Sequence, residues 1–275
     1  MPLNSITPDK LLRLVGTPHC PTVIDIRGPA GGALAAAVPG SIFRDESVVG
    51  DWARSFSGRE AIVVCSDGGS TSSGVAALLR HHGCDALVLA GGLDGWADKG
   101  YPTIDQTKVP RRSLEEASIW VTRARPKVDR IACPWLIRRF IDPEAVFLYV
   151  NTSEVISVAE RHGGAPFDLD GVFWSHRGEE CTFDAMVNEF GLGSIEPLSN
   201  MAVIVRGADT GWPDIAPQAA GLVAMSLGLS RMYSDDLEQL EAGMLLYDAL
   251  FRWSRDAMDE THDWVSHQPK TGGRA

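Results

Sequence analysis

Three short, mostly apolar runs constrain the fold of the first hundred residues most strongly. Helical or glycine-rich segments separate them. They are TVIDI (22–26), AIVVC (61–65) and DALVLAGG (85–92). Apolar residues in unbroken runs of this length are typical of strands buried on both faces, as in parallel sheets covered by helices. Between the last two runs, SSGVAALLRHHG predicts a helix that ends at Gly83. We therefore predict an α/β domain over residues 1–102, with a parallel sheet and helices on both faces.

The rest of the chain has a different pattern. Residues 103–118 are polar and contain a proline and two adjacent arginines, which predicts a linker. Residues 119–255 are mostly helical in pattern, with AVFLYV as a strand, and predict a mainly α-helical (α+β) second domain. In its first helix, KVDRIACPWLIRRFID, Pro134 predicts a kink or a shifted start. The polar segment 256–275 predicts a flexible tail.

Composition excludes some classes of protein. The chain has 275 residues and a formal net charge of -11, which argues against DNA binding because phosphate contacts need a basic face. The N-terminus lacks the basic start and apolar core of a signal peptide, and no apolar run is long enough to span a membrane. The 5 cysteines include no CxxC pair, so we expect free thiols in the cytoplasm rather than a disulfide framework or zinc finger.

One cysteine stands where a buried strand meets a glycine-bearing loop. In VVCSDGGST, Cys65 ends the apolar run, Gly68 and Gly69 follow, and a helix begins near Thr71. Backbone N–H groups of such a loop, together with the helix N-terminus, stabilise a thiolate or a persulfide anion. The glycines allow the dihedral angles that turn these amides inwards. The alternative is that Cys65 is an inert, small core residue.

The first hundred residues resemble a single-domain rhodanese. TVIDIR carries the Asp-x-Arg pattern of that family, VPGS (38–41) is similar to the end of its His-Ile-Pro-Gly-Ala segment, and VVCSDGGST resembles its active-site loop. LAGGLDGWADKGYP closely resembles its closing signature. The resemblance implies structural roles for the following residues: Asp25, Arg27, Gly91, Gly92 and Trp96.

The resemblance implies a sulfurtransferase that needs no cofactor. Cys65 would be the nucleophile that takes sulfane sulfur from a small-molecule or protein donor and passes it to a thiol acceptor. The cradle and substrate-binding residues would be those that follow it in the loop: Ser66, Asp67, Gly68, Gly69, Ser70 and Thr71. The six-residue loop is that of the sulfur-handling class, whereas phosphatase-like relatives have a longer one. Two features depart from the family pattern: the histidine of the His-Ile-Pro-Gly segment is absent, and the negative charge of Asp67 disfavours thiosulfate.

The second domain concentrates residue types that bind metals or oxyanions. Asp129 and Cys133 are four residues apart, so they share one helix face if the helix starts before them. With side chains from SHRGEECTF and VRGADTGW they form a candidate metal or oxyanion site: Asp129, Arg130, Cys133, His176, Glu180, Cys181 and Asp209. None lies in a compact metal motif. The alternative is a set of scattered buried ion pairs, with His176 as a hydrogen-bonded structural residue.

Residues 119–255 resemble the C-terminal domain of the chromate-resistance protein ChrB. The matching segments include KVDRIACPWLIRRFIDPEA, WSHRGEECTFD, VRGADT and GMLLYDAL. The resemblance implies a link to chromate resistance or chromate-responsive regulation. Regulatory members carry a DNA-binding N-terminal region, and a rhodanese stands in its place here. Six arginines offer forked donors for an oxyanion such as chromate: Arg123, Arg125, Arg130, Arg138, Arg139 and Arg177.

Three hypotheses follow. The first is a sulfurtransferase in chromate or oxyanion stress, with Cys133 or Cys181 as a candidate acceptor. The second is a non-catalytic, chromate- or metal-responsive regulator in which the rhodanese fold is a redox or docking module. The third is thiol-dependent oxyanion reduction by Cys65, which needs a resolving cysteine such as Cys20 or Cys84 nearby in the fold.

Overall fold

The computed structural model describes residues 4–28, 36–111, 113 and 115–260. Most of the predicted tail (261–275) and part of the glycine-rich connection after the first apolar run lie outside the described residues.

The first domain contains a five-stranded parallel sheet, which confirms the predicted α/β class. The strands are β1 (Ser5–Ile6), β2 (Thr22–Asp25), β3 (Ser41–Phe43), β4 (Glu60–Val64) and β5 (Asp85–Leu89). Their order is β1-β5-β4-β2-β3, so β4 is central and pairs with β2 and β5. The helices are α1 (Pro8–Leu12), α2 (Val49–Trp52), α3 (Ser70–His81) and α4 (Gly92–Ala97).

The second domain is mainly helical around a three-stranded parallel sheet, as predicted. The strands are β6 (Ile119–Arg123), β7 (Val146–Val150) and β8 (Ala165–Pro166), in the order β7-β6-β8. The helices are α5 (Asp129–Leu136), α6 (Val155–His162), α7 (Thr182–Glu189), α8 (Glu196–Asp209), α9 (Ala219–Met232) and α10 (Asp236–Asp256). None of the helices in the described ranges has the length and apolarity that crossing a bilayer requires.

Pro134 is accommodated inside α5. Because proline has no N–H, the carbonyl of Arg130 one turn earlier loses its helical partner, and the Tyr149 hydroxyl donates to that oxygen at 2.8 Å instead. After Leu136 the helix widens into a π turn, Ile137–Ile141. The helix therefore begins at Asp129, five residues before the proline. The departure from regular α-helix follows the proline, as the π turn.

The segment between the domains is packed rather than free. Ala37 and Ile104 form an antiparallel bridge, with N···O distances of 2.9 and 2.8 Å. Ile104 and Val109 are buried on either side of a 3₁₀ turn, Gln106–Lys108. The first part of the predicted linker therefore belongs to the packed structure.

One hydrophobic cluster contains buried residues of both domains. Phe140, in the π turn, is buried, and its ring occupies the space that a side chain at Gly16 would need. The N–H of Gly40 donates to the carbonyl of Phe140 at 2.7 Å. An ion pair between Arg44 and Glu144, at 2.7 Å, also joins the domains.

Candidate functional site

The Cys65 thiol lies at the carboxyl end of the central strand. It follows the last residue of β4, and α3 begins five residues later at Ser70. The backbone N–H of Gly68 donates to Sγ at 3.2 Å, and the thiol donates to Ser72 Oγ at 3.1 Å. The loop therefore folds back on the sulfur, and both an amide and a hydroxyl contact it.

The closing glycine segment holds this loop in place. Two backbone amides in the first turn of α4 donate to this loop. The Leu93 amide donates to the carbonyl of Cys65 and the Asp94 amide to that of Ser66, each at 2.9 Å. A Cβ at Gly92 would overlap these same carbonyls, so no larger residue fits there. Gly68 has a φ of 70°, and a Cβ there would lie 2.6 Å from the carbonyl of Leu89. The two glycine motifs thus pack backbone against backbone.

Asp67 places a negative charge beside the thiol. Its Oδ1 accepts from the Gly69 amide at 2.8 Å and from the Cys65 thiol at 3.4 Å. The Gly69 hydrogen bond, followed by that of the thiol, lowers the pKa of this exposed carboxyl. An anionic donor that approaches Cys65 therefore meets a carboxylate.

The hydroxyl that contacts the sulfur was not among the sequence candidates. Ser66, Ser70 and Thr71 are exposed, whereas Ser72 is fully buried. Ser72 Oγ also donates to the carbonyl of Gly69 at 3.2 Å, which ties the first turn of α3 to the loop. The helix starts one residue earlier than predicted. If α3 is known to begin at Ser70, helical geometry places residue 72 in the first turn, on the side that faces the end of β4.

Four of the predicted structural residues are buried and one is exposed: Asp25, Arg27, Gly92 and Trp96 are buried, and Gly91 is exposed. Arg27 pairs with Asp25 at 2.7 Å, and its guanidinium also donates to the carbonyl of Ala36 at 2.6 Å. Burial raises the pKa of Asp25, and the hydrogen bonds from Arg27 oppose that rise. Trp96 is fully buried, and its indole N–H donates to the carbonyl of Pro102 at 2.8 Å.

Burial disfavours ionisation of four thiols, those of Cys20, Cys84, Cys133 and Cys181. Burial raises the pKa of Cys20 to about 12 and also raises that of Cys84. Cys133 and Cys181 have no exposed surface, and burial raises their pKa values well above the usual range. In this conformation neither is accessible as a sulfur acceptor for Cys65.

A second group of side chains meets in the second domain. Asp129, Asp168, His176 and Asp209 each offer a ligand atom, and these atoms all lie within 4.8 Å of one another. Asp129 begins α5, Asp209 ends α8, and the other two come from loops after β8. Asp168, His176 and Asp209 line a cavity of about 520 Å³, together with Arg123, Lys127, Val128, Arg130 and others.

The structure brings together part of the predicted cluster. Asp129, His176 and Asp209 meet, and Arg130 reaches the group through Asp168, 3.2 Å from its Nε. Cys133 is buried one turn after Asp129, and Cys181 is the N-cap of α7. Glu180 is half-buried and accepts from Asn188 at 3.1 Å instead.

Asp168 is the member that sequence reasoning missed. It directly follows Phe167 after the two-residue strand β8, which is too short to show alternation. The carboxyl ends of parallel strands lie at one edge of a sheet, so a residue just after β8 comes close to Arg123 at the end of β6. Recognition of β8 as a strand would therefore have indicated Asp168.

Charged groups within the cluster shift one another's pKa values. Burial, together with Asp209 and Asp168, raises the pKa of Asp129 well above its usual value. Burial also acts to raise the pKa of Asp168, but contacts with His176 and Arg123 outweigh it and hold that pKa below the ordinary value. The carboxylates of Asp168 and Asp209 raise the pKa of His176 to about 10.

Only two of the six candidate oxyanion-binding arginines face this cluster. Arg123 and Arg130 both pair with Asp168 Oδ2, at 3.0 and 3.2 Å. The other four are engaged elsewhere, with the following partners: Arg125 with the carbonyls of Ser230 and Tyr233, Arg138 with Glu241, Arg139 with Asp248, and Arg177 with Glu189. Four of the six arginines therefore form pairs away from the cluster, and only Arg123 and Arg130 are placed to contact a ligand beside it.

Family comparisons agree with this division of the chain. Residues 7–99 match the rhodanese-like domain, and the fold and the Cys65 loop described above lie within that range. Residues 120–254 match the ChrB C-terminal domain. The chain therefore consists of a rhodanese-like domain followed by a ChrB C-terminal domain.

Individual relatives cover parts of the chain. Protein ChrB of Cupriavidus metallidurans is 35% identical over 146 residues, which are 52% of this chain and 43% of the relative. The chain thus spans less than half the length of this curated relative. A rhodanese-related protein from Thermoplasma volcanium is 20% identical with a TM-score of 0.32, and the match covers 38% of this chain and 99% of that one. A thiosulfate sulfurtransferase from Pseudomonas aeruginosa is 20% identical with a TM-score of 0.31, over 41% of this chain and 22% of that one.

Proposed function

We propose that the protein is a sulfurtransferase that carries sulfane sulfur as a persulfide on Cys65 and acts in chromate or oxyanion stress. The observation that carries this proposal is the Cys65 loop, in which the Gly68 amide and the Ser72 hydroxyl contact the sulfur at 3.2 and 3.1 Å. The Gly68 amide donates to the sulfur, and the Ser72 hydroxyl, which accepts from the thiol, can turn from the Gly69 carbonyl and donate once the thiol proton has left. Donors to a sulfur anion stabilise both the attacking thiolate and the stored persulfide. The link to chromate rests on the ChrB C-terminal domain.

The proposed cycle has two displacement steps without net oxidation. The Cys65 thiolate attacks the outer sulfur of a donor persulfide, R–S–SH. A new sulfur–sulfur bond forms on Cys65, the donor's sulfur–sulfur bond breaks, and the donor leaves as the thiol R–SH after taking the proton. An acceptor thiolate then attacks the outer sulfur on Cys65 and leaves as a persulfide, which restores the Cys65 thiolate.

The acceptor in this proposal is a separate thiol rather than one of the chain's own cysteines. Cys133 and Cys181 are fully buried, and burial keeps their thiols neutral. Small acceptor thiols or an exposed cysteine of another protein can approach the exposed face of the loop, where Ser66 and Asp67 lie.

Steady-state sulfur transfer from a low-molecular-weight persulfide to cyanide tests this function. We expect turnover by the full chain and by Cys84→Ala, since Cys84 lies just before β5 and is not part of the Cys65–Ser70 loop. Cys65→Ala should have no turnover above the uncatalysed rate. Equal turnover in Cys65→Ala would refute the proposal.

A second candidate function is a non-catalytic regulator that responds to a metal or to chromate. The cluster of three carboxylates and one imidazole beside a cavity of about 520 Å³ favours this alternative. The two functions differ in the Cys65 measurement: a regulator needs no sulfur turnover, whereas the sulfurtransferase requires it.

A further inference from the structure

The Asp129–Asp168–His176–Asp209 cluster lies apart from the Cys65 loop and has no role in the sulfur cycle. Its four side chains come from four separate segments of the second domain. Three carboxylates so close together repel one another unless a positive charge lies between them. The question is whether that charge is an imidazolium or a bound cation.

The separations around His176 are longer than direct hydrogen bonds and close to those between ligands of one ion. Its Nε2 is 3.2 Å from an oxygen of Asp209, 3.5 Å from one of Asp168 and 3.7 Å from one of Asp129. Charge-assisted N–H···O bonds are about 2.7–2.9 Å long, so all three separations exceed that range. Neighbouring ligand atoms that surround one ion at about 2.1 Å are about 3.0 to 3.4 Å apart in octahedral or tetrahedral geometry. The Asp209 separation lies within this range, and the Asp168 and Asp129 separations are slightly longer.

Two of the carboxylates are anchored by one oxygen and face the centre with the other. Asp168 Oδ2 pairs with Arg123 and Arg130, while its Oδ1 faces His176 and accepts from the Thr182 hydroxyl at 3.2 Å. Asp209 Oδ1 lies 3.3 Å from the backbone N–H of Asp129, while its Oδ2 faces His176. Outer partners of this kind orient metal ligands in advance of binding.

Asp129 provides a second, independent indication of a ligand. Its side chain is only 1% exposed. Oδ2 accepts from the backbone N–H of Thr182 at 2.6 Å, but Oδ1 is buried and has no hydrogen-bond partner in the described part of the chain. Oδ2 is the oxygen that lies 3.7 Å from His176 Nε2, so it is the ligand atom of this side chain. A buried carboxylate with one unpartnered oxygen is costly, and a cation bound at the other oxygen offsets that cost by neutralising the charge that the two oxygens share.

We propose that these four side chains bind one divalent cation of the Mn²⁺ or Fe²⁺ type. Three carboxylate oxygens and one imidazole nitrogen form a predominantly hard ligand set, which suits these ions better than thiolate-seeking ones. An oxyanion is disfavoured at the same position because the three carboxylates would repel it. The adjoining cavity of about 520 Å³ leaves one side of the ion open to water or a small ligand.

Titration of the full chain with Mn²⁺, after removal of bound metal by a chelator, tests the proposal. Calorimetry gives the stoichiometry and affinity, and the electron paramagnetic resonance signal of Mn²⁺ reports its coordination. We expect one ion per wild-type chain. Asp209→Asn and His176→Gln should weaken binding by tenfold or more, since removal of even an outer partner typically costs about 10- to 100-fold.

Asp170→Asn is the matched control. Asp170 is an exposed carboxylate on the wall of the same cavity but is not one of the four ligands, so this variant should bind Mn²⁺ as tightly as the wild type. Circular dichroism and thermal unfolding of each metal-free variant establish that it folds. Absence of saturable binding in the wild type would overturn the proposal and leave a protonated His176 as the central charge. Equal loss in Asp170→Asn and Asp209→Asn would also overturn it.

Discussion

Among single residues, Ser72 should have the clearest effect on the rate of sulfur transfer, because its hydroxyl contacts the Cys65 sulfur. The buried Ser72 hydroxyl is 3.1 Å from the sulfur and can donate to a thiolate or persulfide once the thiol proton has left. We expect Ser72→Ala to slow sulfur transfer about tenfold, because a hydrogen bond to a charged group typically contributes about 1.5–3 kcal/mol. Steady-state kinetics with a persulfide donor measure the effect.

Ser73→Ala is the control for this substitution. Ser73 is the following residue of α3 and is exposed, so loss of its hydroxyl should leave the rate unchanged. Equal rates for Ser72→Ala and the wild type would show that the hydroxyl does not act on the reacting sulfur.

Asp67 should set the preference between anionic and neutral sulfur donors. Its ionised carboxylate lies 3.4 Å from the thiol and repels thiosulfate. Asp67→Asn should raise kcat/KM for thiosulfate about fourfold relative to that for a neutral trisulfide. Asp98→Asn, another exposed acid of the same domain, should not change this ratio. An unchanged ratio in Asp67→Asn would contradict the electrostatic argument.

The predictability of site residues from sequence depended on whether they belong to one continuous segment. Cys65, Gly68 and the closing glycines lie in two short motifs, and the structure brings those motifs into direct contact. The acidic cluster is assembled from residues 129 to 209, so spacing along the chain carried little information about it. For that reason Asp168 was missed, and the predicted Glu180 does not lie with the four residues that meet.

At the scale of elements, α5 depends on a partner outside the helix. Pro134 leaves the carbonyl of Arg130 without its helical N–H, and the Tyr149 hydroxyl of β7 donates to it at 2.8 Å. We expect Tyr149→Phe to lower the free energy of unfolding by about 1–3 kcal/mol, because a largely buried carbonyl loses its partner. Urea denaturation measures the change.

Tyr101→Phe provides the comparison for that variant. The Tyr101 hydroxyl donates to Asp9 at the surface, where water can replace it, so this variant should unfold close to the wild type. Equal unfolding midpoints for Tyr149→Phe and Tyr101→Phe would mean that the Arg130 carbonyl is satisfied in another way.

Element length accounts for some of the strands that the sequence did not reveal, although β6, with five residues, was also missed. β4 and β5 have five residues each and were predicted from their apolar runs. β1 and β8 have only two residues each, which is too short for any periodic signal, so their pairing with longer strands is visible only in the fold.

At the scale of the whole molecule, the shared core predicts that the two domains unfold together. Phe140 is buried between them, against Gly16 on one side and Trp135 and Phe251 on the other. Phe140→Ala should lower the free energy of unfolding by about 3–5 kcal/mol and should destabilise both domains. The alkylation rates of buried cysteines, Cys84 in the first domain and Cys133 in the second, report on each domain separately.

We expect both alkylation rates to rise together in Phe140→Ala. Leu245→Ala removes an exposed side chain and should change neither rate. Faster alkylation of Cys133 alone would show that the domains open independently, despite the continuous core.

The most direct test of the account is the intact mass of the protein after exposure to a persulfide donor, without reductant. We expect the wild-type chain to gain the mass of one sulfur atom and fragmentation to place it on Cys65. Cys65→Ala should gain none, because burial holds the remaining four thiols in their neutral form. A wild-type chain that gains no sulfur, or a Cys65→Ala chain that gains as much, would contradict the claim that Cys65 is a sulfur carrier.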